Sequence, residues 1–182
     1  MISIPSGDSL PGGVDTNVAA AGCSCHGVDT AAGVMVTITA PENFTAGESY
    51  NITVSISGGP NDEITEGMNA TGGFSLRVNS GTLESSSDDT QLWDDGTMSH
   101  TESGNDQREW TMAWTASDDD SKTVTFTAYG NSVNGDSGNG LGNSGDYWNA
   151  ASKQVPGINV VIDDGEITFA QKIIYTVLLF GV

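Results

Sequence analysis

Positive charge is the scarcest property of this 182-residue chain: five Lys and Arg residues stand against 24 Asp and Glu, a formal net charge of −19. A surface so acidic excludes nucleic acids and anionic lipid headgroups as natural partners, because both would be repelled. It also repels itself in the compact state, so salty water or bound divalent cations are expected around it. Cysteine is nearly absent too, with two residues, and histidine equally so. Two cysteines build no disulfide framework, and a bridge between Cys23 and Cys25 would close a ring too small for ordinary disulfide geometry. No basic, apolar leader opens the sequence, and an export signal is expected upstream of Met1. No apolar run reaches the ~20 residues of a spanning helix; the longest begins at Ile173 and holds ten.

What remains is rich in Gly (24 residues), with abundant Ser, Thr, Asn and Asp and few helix-forming stretches. Such a composition predicts short strands joined by turns, an all-β domain. Strict alternation marks four strands: Val34, Val36 and Ile38; Tyr50, Ile52, Val54 and Ile56; Phe74, Leu76 and Val78; Trp110, Met112 and Trp114. A fifth, Val124 to Tyr129, follows the Asp118-Asp119-Asp120 turn and is expected to form an antiparallel hairpin with the Trp110 strand. Gln154 to Ile162 reads as a last strand, and residues 79–109 as one long loop. The expected organisation is a flexible segment 1–21, a domain over 22–162, and a spacer with an apolar tail over 163–182, read as the first half of a membrane anchor.

Both cysteines and one histidine fall in Gly22-Cys23-Ser24-Cys25-His26-Gly27. Two thiols that add to haem vinyl groups, followed by an imidazole that ligates the iron, give Cys-x-x-Cys-His; here one intervening residue is missing. Cys25-His26 retains what one thioether and a proximal ligand require. Zinc or copper held by Cys23, Cys25, His26 and His100 is an alternative, as are two free thiols. His100 is the candidate sixth ligand, with Met98 two residues earlier as the other choice. Bis-histidine ligation closes the iron to oxygen and suits electron transfer, whereas His/Met ligation raises the potential.

The loop 130–148 offers hard oxygen donors at Asn131, Asn134, Asp136, Asn139, Asn143 and Asp146, which calcium prefers. The sequons at Asn43, Asn51 and Asn69 fit an exported protein. No Ser/His/Asp nucleophile set is present, so a carrier or binding module is expected in place of a catalyst.

Taken together, these residues resemble the Reelin-like domain that prokaryotes carry as the choice-of-anchor V domain. The resemblance runs from about Pro11 to Ser152 and rests on Cys23, Cys25 and His26; Gly73-Phe74; Ser99-His100-Thr101; Trp110 and Trp114-Thr115-Ala116; Val124-Thr125-Phe126; Asn131; and the Asn134-Gly135 to Gly145-Asp146 loop. It implies an immunoglobulin-like antiparallel β-sandwich displayed outside the cell on a C-terminal anchor, with a redox or surface protein as partner. In that family the early motif looks like a haem-attachment Cys-x-x-Cys-His, so the shortened spacing here leaves attachment through Cys25 alone.

Overall fold

A computed structural model describes residues 30–60, 71–133 and 146–161. These form nine strands: β1 (Val34–Thr39), β2 (Ser49–Gly58), β3 (Gly72–Val78), β4 (Thr82–Ser85), β5 (Thr90–Leu92), β6 (Met98–His100), β7 (Glu109–Thr115), β8 (Thr123–Ser132) and β9 (Tyr147–Pro156). The only helical piece among them is a 3₁₀ turn, Glu102–Gly104. The expected segments 1–21 and 163–182 lie outside the described residues, among which no helix is long and apolar enough to cross a membrane.

The strands make two antiparallel sheets, β1-β2-β7-β4 and β5-β6-β3-β8-β9, packed face to face. Alternation dictates the packing: in β1, Val34, Val36 and Ile38 are buried while Met35, Thr37 and Thr39 face solvent. The same period buries Ile52, Val54 and Ile56 of β2, Trp110, Met112 and Trp114 of β7, and Val124, Phe126 and Ala128 of β8. Trp114 lies at the centre, edge-on to Phe44 (5.3 Å, 81°) and to Phe126 (5.1 Å, 81°). The fold is thus an all-β sandwich of immunoglobulin-like kind, with chain crossovers between sheets.

Three sequence expectations are corrected. The Trp110 strand and the Val124 strand do not pair: β7 lies between β2 and β4, whereas β8 lies between β3 and β9 in the opposite sheet. Their apolar faces meet across the core, as the Trp114–Phe126 contact shows, and alternation specifies a buried face without specifying the neighbour. Residues 79–109 are not one loop but carry β4, β5 and β6, too short at three or four residues to display a period. The last strand begins at Tyr147, seven residues before the expected start at Gln154, because β9 is an edge strand whose middle is Ala, Ser, Lys and Gln, with only Trp148 and Val155 buried.

Candidate metal and cofactor site

His100 ends β6, a strand of three residues that pairs Met98 with Leu76 and Ser99 with Ser75. The ladder stops there, and the His100 side chain continues it: Nδ1 lies 3.1 Å from the Phe74 nitrogen and 3.2 Å from the Phe74 carbonyl oxygen, accepting from the N–H in one tautomer and donating to the carbonyl in the other. The ring is 8 % exposed and stands 6.3 Å from Phe74 and 6.2 Å from Trp110, centroid to centroid. It occupies space that only a glycine at position 73 leaves open, since a Cβ there would fall 2.6 Å from Cε1. A metal would take Nε2, the ring nitrogen away from Phe74. In the tautomer whose Nδ1–H donates to the carbonyl, Nε2 carries the lone pair, the arrangement common to metal-ligating imidazoles. An imidazole in that tautomer has the donor chemistry of an iron ligand.

Met98, the other candidate, is fully buried between the sheets and fills the core. Cys23, Cys25 and His26 lie outside the described residues, but the point from which the chain reaches them is defined. Ala31 N–H donates to the Trp148 carbonyl at 2.9 Å, and Asn149 Nδ2 donates to the carbonyl oxygens of Ala31 (3.4 Å) and Val34 (2.7 Å). Asn149 pairs with Gly130, Gly130 with Phe74, and Phe74 with the His100 imidazole. Ala31 and His100 therefore sit at the same level of the five-stranded sheet, four strand spacings or roughly 19 Å apart. The five residues back to His26 reach about 17 Å when extended.

Of the predicted calcium ligands, Asn131 and Asp146 are described and flank the open end of the β8–β9 pair; Asn134, Asp136, Asn139 and Asn143 lie outside the described residues. No group of three or more His, Cys, Asp or Glu gathers among the described residues. One residue the sequence reading passed over is Arg108, 5 % exposed, whose guanidinium donates to the carbonyls of Thr71 (3.1 Å), Gly58 (3.0 Å) and Pro60. Its signal was its place, one of only five basic side chains, directly before the Trp110 strand. Trp93 was also missed: its indole N–H donates to Ser99 Oγ at 2.8 Å on the outer side of the sheet.

No protein-family profile matches the chain, and no curated protein does. Among solved structures it is similar to the human F-spondin reeler domain (TM-score 0.44, 13 % identity, covering 71 % of this chain and 91 % of that one). It is also similar to a cohesin module from a Clostridium perfringens family 33 glycoside hydrolase (TM-score 0.40, 13 % identity, 68 % and 95 %). The sandwich itself stands on the two sheets and their shared core.

Proposed function

We propose that this chain is a cell-surface β-sandwich module that carries a c-type haem and transfers single electrons. The supporting observation is that the chain enters the sandwich at Ala31 on the same cross-strand level as His100, within reach of the Cys23-Ser24-Cys25-His26 motif. In this reading Cys25 would form the thioether, and His26 and His100 Nε2 would ligate the iron, His100 in the tautomer whose Nδ1–H donates to the Phe74 carbonyl. A haem so held would supply one-electron redox chemistry. Gly73 and Phe74 fix the ring orientation, and the surrounding Phe74 and Trp110 keep water from it.

The test is expression with an export signal in a host that matures c-type cytochromes. A haem-stained band on a denaturing gel, lost in Cys25→Ala, is expected, together with a low-spin spectrum that turns high-spin in His100→Ala. A colourless protein beside a matured control cytochrome overturns the reading.

A second reading, an extracellular binding or adhesion module, is favoured by the outer face of the four-stranded sheet. Cross-strand register places Thr39, Thr53 and Thr111 in one row and Ser49, Thr115 and Thr82 in another, with Thr37 beside Ser55. Thr53 and Thr111 hydroxyls are 2.9 Å apart, and those of Ser49 and Thr115 are 2.8 Å apart. In so acidic a chain this face bears only Glu84 and Glu109 as charges, a neutral hydroxyl surface suited to polar contacts. If the protein is colourless, arginine substitutions in the Thr53 row should abolish attachment to surface material.

A further inference from the structure

Of the three Asn-x-Thr sequons, two lie among the described residues, and the fold treats them differently. Asn43-Phe44-Thr45 belongs to the loop that joins β1 to β2, whereas Asn51-Ile52-Thr53 is part of β2 itself. Asn69 lies outside the described residues. A sequon accepts a glycan on a surface loop of an exported protein, so the place of each one matters.

In the loop, Phe44 is the anchor. Its side chain is fully buried, edge-on to Trp114 at 5.3 Å, and its backbone forms a bridge beside Gly157. Phe44 N–H donates to the Pro156 carbonyl (3.1 Å), and the Phe44 carbonyl accepts from Ile158 N–H (2.9 Å). Extended backbone sends consecutive side chains to opposite sides. With Phe44 turned in, Asn43 and Thr45 both turn out, and both are exposed. Among the described residues, no hydrogen bond engages the Asn43 amide or the Thr45 hydroxyl; Thr45 is held by its backbone, its N–H donating to the Tyr50 hydroxyl at 2.8 Å and its carbonyl accepting from Glu48 N–H at 3.3 Å. Asn51 also faces solvent, but Thr53 is fixed in the ladder between Thr39 and Thr111, and its hydroxyl lies 2.9 Å from that of Thr111. The hydroxyl that a sequon requires is thus available beside Asn43 and occupied beside Asn51.

We propose that Asn43 is an N-glycosylation site and that Asn51, in the folded chain, is not. The inference rests on the cell-surface reading, because sequons are glycosylated in exported proteins. The donor is a polyprenyl-phosphate-linked oligosaccharide. Asn43 Nδ2 forms a bond to its anomeric carbon as the carbon–oxygen bond to phosphate breaks; the lipid phosphate leaves with the electron pair, and the amide gives up one proton. The glycan sits at the end of the sandwich where Pro156 pairs with Thr123, whereas the His100 ring lies at the level of Gly130. The seven residues of β8 between those levels span roughly 23 Å, so the sugar leaves the His100 end open. It also places a neutral, hydrated cover beside Ile158, an apolar residue 53 % exposed.

The test is the full chain, fitted with an export signal, in a host that N-glycosylates exported proteins at Asn-x-Thr, with glycopeptides read by mass spectrometry. A glycan at Asn43 is the expected result. Asn43→Gln and Thr45→Ala should each abolish that glycopeptide, Thr45→Ser should retain it, and Asn51→Gln should leave it unchanged. Folded, purified chain incubated with the transferase and its lipid-linked donor should be modified at Asn43 and not at Asn51, a readout independent of export. An exported chain bare at Asn43 beside a glycosylated control, or transfer to Asn51 of the folded chain, overturns the site and leaves the cell-surface reading standing. Transfer to Asn43 of the folded chain, with the signal-bearing chain retained inside cells that export the control, supports the site and overturns the cell-surface reading.

Discussion

The imidazole of His100 lies in the place that a side chain at position 73 would take: a Cβ on Gly73 would be 2.6 Å from Cε1 and 2.9 Å from Nε2. The glycine and the histidine are thus one unit, although 26 residues separate His100 from Phe74, whose backbone holds the ring.

Gly73→Ala should displace the ring and break its contact with Phe74, lowering stability by about 1–3 kcal/mol, as overpacking does. In Gly73→Ala/His100→Ala the alanine methyl meets no ring, so the double variant should lose less than the sum of the singles. Urea denaturation of the four proteins checks this.

Arg108 joins the two sheets through the carbonyls of Gly58 on β2 and Thr71 before β3. Arg108→Met should cost about 1–3 kcal/mol. Ser132 Oγ also donates to Gly58 and Pro60, so those carbonyls keep one partner. Ser132→Ala on top of Arg108→Met should therefore be worse than additive, measured as a double-mutant cycle.

Trp114 donates its indole N–H to the Ser80 carbonyl at 3.0 Å, while Gly81, at φ +82, passes with its Cβ position 2.4 Å from Nε1. Trp114→Phe should lose about 1–3 kcal/mol through the unpaired carbonyl and the vacated volume. Gly81→Ala should destabilise too, from left-handed strain and the clash together. Chemical denaturation midpoints report both.

Asp119 sits in the turn between β7 and β8, 2.7 Å from Lys122 Nζ, and accepts from the Ser121 hydroxyl and N–H. Chiefly its hydrogen bond to Lys122, then those to Ser121, hold its carboxyl well below the usual carboxylate range. Because the folded value is depressed, the stabilisation is present above the unfolded value of about 4 and disappears as pH falls through the folded one. Stability of the parent should fall more steeply than that of Asp119→Asn below about pH 4. The effect is small because the pair is exposed, and urea midpoints at pH 5 and pH 2.5 measure it.

Much of the sandwich was legible where one face of a strand is buried and the other is wet. Val34 to Ile38, Ile52 to Ile56 and Trp110 to Trp114 announce themselves because period two is a property of a single strand. The short strands β4, β5 and β6 gave no such sign, and β9 conceals itself because an edge strand buries little. His100 stood out by scarcity alone. Its bond to Phe74, the glycine that admits it, and the pairing of Asn131 with Trp148 all depend on which strands lie side by side.

Composition and alternation by themselves determined an acidic all-β chain with a Trp-rich inner face, since charge and strand period are read residue by residue. Only the tertiary structure decided that β7 and β8 belong to opposite sheets, that Arg108 bridges the two sheets, and that the His100 ring lies over Gly73 and against Phe74. Each of those outcomes depends on pairing between strands far apart in the chain, where many partners satisfy the same local pattern and only the shared core selects among them.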